Sequence, residues 1–295
     1  MEQGKPLIIT GAAFSGFGLL LIIASFVFSS NPMLSAGCAI IIVGLVLVGI
    51  AAAKQSVEAG TRLDNLTFVV ATSVVPSNPS IVMIQYVIES AIAMHGMPEK
   101  IVVAMDGLQE GRTDADYDEY ERRIRSDIPY VTVTRRPTRG YLTGNLEHAM
   151  RSVKTQFVMV IQHDFRHVMP IDLRPLMQLI EDDRNDVQYI RLNKRHNWER
   201  VLWDADPVIG MKEKTFKNGV TLTTTPAWSD NDHLCLTAYY TDTVLPLAKE
   251  RNARFPEEAL NPINRAQDRC FGTYLYGGER TTNAIEHLDG KVFKG

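Results

Sequence analysis

Phe157-Val158-Met159-Val160-Ile161 is an unbroken apolar run, mostly β-branched or aromatic, that passes directly into Gln162-His163-Asp164-Phe165. Five apolar side chains in succession leave no face for water, so the run predicts a strand buried on both faces, as in a parallel sheet covered by helices. Carboxyl ends of such strands are where open α/β sheets bind ligands. A carboxylate at the edge of a core is costly unless it is paired, hydrogen-bonded or bound to a metal. The plainer alternative for Asp164 is an N-cap or turn residue.

The chain before this strand repeats the same theme. Leu66 to Thr72 predicts a buried strand, Ser73 to Pro79 a loop, and Ile81, Ile84, Ile88 and Ala91 a helix ended by Gly96 and Pro98. Lys100 to Met105 predicts a second strand that ends at Asp106-Gly107, and Asp114 to Ser126 an exposed amphipathic helix. A third strand is expected over Pro129 to Thr134, a basic loop over Arg135 to Gly140, and a helix from about Asn145 carrying Leu146, Ala149, Met150 and Val153. Strand and helix in strict alternation imply a mostly parallel sheet wound with crossover helices. Beyond it the pattern predicts a helix over Ile171 to Asp183, a strand over Val187 to Leu192, and a long irregular segment after Asn193. Regular structure is expected again at His233 to Tyr240, as helix at Asp242 to Asn252, and as an amphipathic stretch at Asn264 to Tyr276.

The 45% hydrophobic content of these 295 residues is unevenly spread, and much of the excess lies before residue 54. Leu7 to Phe28 and Met33 to Ala53 carry no charge, and each is about 20 residues long, enough to cross a ~30 Å hydrocarbon core as helix. Ser29-Ser30-Asn31-Pro32 between them predicts the tip of a hairpin. A signal peptide would have an apolar core of only about 7–15 residues and no second span. Residues 1–56 are therefore expected to be a transmembrane hairpin and 57–295 the soluble domain. Lys5, Lys54 and Arg62 flank an uncharged tip, which puts the soluble domain in the cytoplasm. Cys38, Cys235 and Cys270 have neither disulfide nor zinc spacing. A net charge of −3 argues against nucleic acid as the main partner.

Taken in order, these residues resemble GT-A glycosyltransferases of the large inverting family that includes polyprenyl-phosphate and polysaccharide glycosyltransferases. Pro76-Ser77-Asn78 is similar to that family's nucleotide-contacting loop, and Asp106-Gly107 to the pair that grips the base. Gly140 to Asn145 is similar to its approach to the metal-binding strand, and Gln162-His163-Asp164 stands where the family has Asp-x-Asp. The first acid of that motif is replaced by Gln162.

The resemblance implies a GT-A sheet, a nucleotide diphosphate sugar as donor, and Mg²⁺ or Mn²⁺ on Asp164. Pro76, Asn78, Asp106, Gly140, Asn145, Gln162 and His163 would contact the donor. A histidine near the carboxyl terminus supplies a second metal ligand in some GT-A enzymes; His287 is the candidate, with an ordinary surface histidine as the alternative. The family has an acceptor-activating acid where Trp228-Ser229-Asp230-Asn231-Asp232-His233 stands. Asp232 is preferred as general base over Asp230, against a turn with Asx caps. Glu257 and Glu258 are the fallback, or simply the acidic first turn of a helix.

Arg135, Arg136 and Arg139, with Lys194, Arg195 and Arg200, could meet phosphate or anionic lipid, or be solvated surface. Arg269 is followed by Cys270, so the glutamine, arginine and tryptophan signature of processive synthases is missing. The expectation is a single-sugar transferase acting on a lipid-linked, glycan or protein acceptor. Its alternatives are a nucleotidyltransferase on a similar sheet and an inactive, membrane-tethered nucleotide-sugar-binding module.

Overall fold

Strand β4 (Phe157–Gln162) lies inside a nine-stranded mixed sheet. The computed structural model describes residues 62–197 and 211–288; both expected membrane spans, and the boundary drawn at residue 56, lie outside these. Among the described residues no helix is long and apolar enough to cross a membrane.

In chain order the first half is β1 (Leu63–Thr72), α1 (Val82–His95), β2 (Pro98–Met105), α2 (Ala115–Asp127), β3 (Thr132–Arg135), α3 (Tyr141–Met150) and β4. After β4 come β5 (Phe165–His167), α4 (Arg174–Asp182), β6 (Tyr189–Arg191), β7 (Glu213–Thr215), β8 (Thr221–Thr224) and β9 (His233–Leu236). A single helical turn α5 (Thr237–Tyr239), a π turn (Tyr240–Val244), α6 (Leu245–Glu250), α7 (Pro256–Ala266), β10 (Thr273–Tyr276) and β11 (Ile285–His287) complete it.

The main sheet runs β3-β2-β1-β4-β9-β6-β10-β8-β7. Strands β3, β2, β1 and β4 are parallel, whereas β9 is antiparallel to both β4 and β6. Successive residues of β4 point to opposite faces. Phe157, Met159 and Ile161 enter one core with Phe68 and Val70 of β1, and Val158 and Val160 enter the other with Val69 and Ala71. A strand buried on both faces can be apolar throughout, which is why Phe157 to Ile161 contains no polar residue.

Two expectations change. Asn264 to Tyr276 is not one amphipathic element: α7 ends at Ala266, Asp268 and Arg269 take positive φ, and Gly272 at φ +55° turns the chain into β10. Asp242 to Asn252 starts as a π turn and only then becomes α6. A separate two-stranded sheet, β5 with β11, had no sequence signal, because each strand is three residues long.

Candidate active site

The strand order reverses at β1, with β2 on one side and β4 on the other, so the helices that follow these strands diverge and leave a crevice at the carboxyl ends. A cleft of about 490 Å³ occupies that position. Register brings its walls together: Thr72 pairs with Met105 and Ala71 with Gln162. Asp106 continues β2 by donating its N–H to Thr72 O at 3.0 Å, and His163 continues β4 by donating to Ala71 O at 3.1 Å.

Asp106 is almost buried, and its Oδ1 accepts from the N–H groups of Gly107 at 2.9 Å and Gly140 at 2.8 Å. Burial raises its pKa and these backbone donors oppose the rise. A glycine must follow it, since a Cβ at Gly107 would come 2.3 Å from the carbonyl carbon of Thr138. Asn145 lies beneath the same floor. Its Nδ2 donates to Thr72 O at 3.2 Å and Ala104 O at 2.8 Å, tying α3 to β1 and β2 while the residue also lines the cleft.

Pro76 and Asn78 do not line this cleft. They border a shallower depression of about 410 Å³ that shares Val74 and Asp114 with it, and Asn78 Oδ1 closes its own loop by accepting from Val75 N. Of the basic loop, Arg135 forms ion pairs with Asp118 and Glu121 of α2 at 2.6 and 2.9 Å, while Arg139 lines the cleft and stacks on Tyr141. Sequence reasoning missed Tyr141, held at φ 55° between Arg139 and Arg254, and the exposed Phe255. Gly140 ahead of Tyr141 is the only local hint.

Gln162, His163 and Asp164 form the turn after β4. Gln162 donates from Nε2 to Asp230 O at 2.8 Å, so the residue replacing an acid acts as a hydrogen-bond brace. His163 Nδ1 lies 3.2 Å from Ala71 O, its Nε2 is buried without a partner, and burial lowers its pKa. Asp164 meets His287 across 123 residues, with Oδ2 and Nε2 3.1 Å apart. The small sheet causes this encounter: His287 pairs with Phe165, and Leu288 N donates to Asp164 O at 2.7 Å.

Asp164 Oδ1 is buried and has no partner. An unsatisfied carboxylate oxygen beside an imidazole suits a divalent cation, whose other ligands would be substrate oxygens or water. No group of three or more His, Cys, Asp or Glu side chains that could hold a metal occurs among the described residues.

The two acids named as general base are both enclosed. Asp232 is 0% exposed; its Oδ1 accepts from Gln162 N at 2.8 Å and its Oδ2 lies 3.1 Å from His167 Nε2. Neither oxygen is open to an acceptor. Asp230, 8% exposed, accepts from Glu257 N at 3.2 Å and donates its own N–H to Glu257 Oε2 at 3.1 Å. Burial first, and the Glu257 carboxylate second, push its pKa well above the ordinary carboxylate range. Glu258 caps α7 by accepting from Arg254 N at 2.9 Å, as an acidic first turn does.

Residues 74–233, more than half of the chain, match glycosyl transferase family 2, and the protein belongs to that family. It is accordingly a glycosyltransferase, built on a GT-A-like mixed sheet. No curated protein sequence matches it. Among solved structures it is similar to TarS 1-349 of S. aureus, with 15% identity and a TM-score of 0.43 over 76% of this chain and 60% of that one. The alignment with a longer TarS structure, at 15% identity and a TM-score of 0.45, covers 76% of this chain but only 36% of the other. UDP-glucose pyrophosphorylase complexed with UDP-glucose aligns at 13% identity and a TM-score of 0.43, over 77% of this chain and 94% of that one.

Proposed function

We propose that this glycosyltransferase moves a single sugar from a nucleotide diphosphate sugar to an acceptor hydroxyl by direct displacement, with inversion at the sugar carbon. The observation that carries the reading is one cleft at the strand-order reversal, lined by Gln162 and His163, whose turn has an acid pair on either side of it: Asp164 with His287, and Asp230, whose carbonyl Gln162 holds, with Glu257. The nucleotide lies on the floor made by Thr72 and Asp106, with Arg139 at its edge. Asp164 and His287 would hold Mg²⁺ or Mn²⁺, which when bound neutralises charge on the departing diphosphate.

Asp230 takes the proton of the acceptor hydroxyl as that oxygen bonds to the anomeric carbon, and the bond from carbon to phosphate oxygen breaks with its electron pair leaving on the diphosphate. The uncharged runs before residue 54 tether the catalytic unit to a membrane, on its cytoplasmic side.

Full-length protein incubated with uridine, guanosine and adenosine diphosphate sugars, with and without Mn²⁺, tests this through melting temperature and release of free nucleoside diphosphate. A true donor present at a hundredfold excess over its Kd contributes about 2.7 kcal/mol. That should raise Tm by several degrees. If no donor shifts Tm and none is hydrolysed or transferred, the reading fails.

A further inference from the structure

Behind the turn that carries Asp164, three polar side chains form a buried line through the core: His95 at the end of α1, His167 in β5 and Asp232 before β9. Their residues are 6%, 3% and 0% exposed. His95 Nδ1 lies 3.2 Å from Ile171 O, His95 Nε2 lies 2.8 Å from His167 Nδ1, and His167 Nε2 lies 3.1 Å from Asp232 Oδ2. Those last two atoms have no other partner. The chain of contacts ends where Asp232 Oδ1 accepts from Gln162 N.

Hydrogen-bond direction along this line is forced. A carbonyl oxygen only accepts, so the proton of His95 sits on Nδ1, and its Nε2 presents a lone pair. The facing Nδ1 of His167 must then carry that ring's proton, which leaves a lone pair on His167 Nε2 aimed toward Asp232 Oδ2. Two lone pairs 3.1 Å apart in a water-free interior would repel, so one further proton has to lie between them.

We infer that Asp232 carries this proton on Oδ2, donates it to His167 Nε2, and as a neutral acid positions the Gln162 to Asp164 turn for the transfer reaction. The alternative, a carboxylate beside a charged imidazolium, would place two full charges in a water-free interior with one further hydrogen bond each, from Gln162 N to Asp232 Oδ1 and from His167 Nδ1 to His95. The titratable groups facing Asp232 are His167, with His95 behind it, and the Asp164 carboxylate, which disfavours a second negative charge nearby. Burial acts in the same direction, pulling both histidines down to about 3 and raising Asp232. With Asp232 neutral, Asp164 is the sole negative charge on its turn.

The positioning role rests on the reading of Asp164 given above, whereas the proton's location does not. The test is therefore run first without substrate. In full-length protein labelled with ¹⁵N-histidine, His95 and His167 should both appear as neutral rings protonated at Nδ1; an imidazolium signal from His167 at pH 7 overturns the inference.

Asp232→Asn should be nearly silent, because an amide donates to His167 from Nδ2 and accepts from Gln162 N on Oδ1, just as the protonated acid does. Its melting temperature should match that of wild type, and kcat and KM should stay within about threefold. Asp232→Ala, which lacks both bonds, should lower kcat with little change in donor KM. A hundredfold fall in kcat for a well-folded Asp232→Asn would make Asp232 an ionised base and sink the proposal. If no donor supports turnover, the ring-nitrogen and melting measurements still decide it.

Discussion

His233 opens β9, next to Asp232, and is 0% exposed. Its Nδ1 donates to Asn231 O at 2.6 Å, its ring lies parallel to Tyr240 and 4.6 Å from Tyr189, and its Nε2 has no partner. Burial holds its pKa down at about 4, against about 6.5 in an unfolded chain. A histidine depressed in this way contributes stability that is complete above pH 6.5 and is lost as pH falls from there toward 4, since the unfolded chain takes up a proton that the folded one refuses. Between pH 7 and pH 5 the loss is about 2 kcal/mol.

Other buried groups add their own pH dependence, the raised Asp230 and Asp232 in the opposite sense and the lowered His95 and His167 in the same one, so the total pH dependence of wild type is uninformative. A difference isolates the residue. His233→Phe keeps the ring stacking, forfeits the bond to Asn231 at about 1 kcal/mol, and does not titrate. Urea unfolding of full-length wild type and variant, followed by tryptophan emission at pH 7 and pH 5, should show wild type weakening relative to the variant by about 2 kcal/mol at the lower pH. An unchanged difference between the two proteins would mean that the folded state accommodates a charged His233, and would refute the argument from burial.

Four further outcomes follow from the proposed function. Asp164→Asn and His287→Ala should each raise the Mn²⁺ concentration needed for half-maximal turnover by about 10–100-fold while leaving the melting temperature close to wild type; equal metal dependence in all three proteins would remove the pair from that role. Asp230→Asn should reduce kcat about 10²–10⁴-fold at nearly constant donor KM. Glu257→Gln should move the acid limb of the pH profile to lower pH, because the Glu257 charge raises Asp230; an upward move would contradict that. A cysteine introduced at Ser30 should react with an impermeant reagent in intact cells and one at Gly295 should not, and the reverse pattern would overturn the assigned orientation.

What could be read from the sequence was what depends on neighbours along the chain. The run from Phe157 to Ile161 announced a strand with two dry faces, whereas Asp106-Gly107 announced a tight turn and instead continues past β2 in irregular backbone, with Gly107 packed against the Thr138 backbone. His287 was singled out as a partner for Asp164 from the resemblance, and the two side chains do meet. The burial of Asp232 was not legible, because Ser-Asp-Asn-Asp is a polar run that also suits a turn with Asx caps. Its burial depends on His95 and His167, which come from remote parts of the chain and whose mutual contact no periodicity encodes. Strands β7, β8 and β11, each of three or four residues, lack the apolar pattern that marked the equally short β6 within Val187 to Leu192. Arg135 and Arg139 are alike as letters, yet one is held by α2 while the other faces the cleft.

The pairing of β11 with β5 also orders events during synthesis. Asp164 leaves the ribosome 123 residues ahead of His287, which at ordinary elongation rates is about 6–25 s. Throughout that interval the parallel strands and the floor of the cleft can already form, but the imidazole beside Asp164 and the Leu288 N–H that holds its carbonyl do not yet exist. A nascent chain can therefore form most of the cleft well before His287 joins Asp164, so under the proposed mechanism donor binding and catalytic competence are acquired at different times in the life of each molecule.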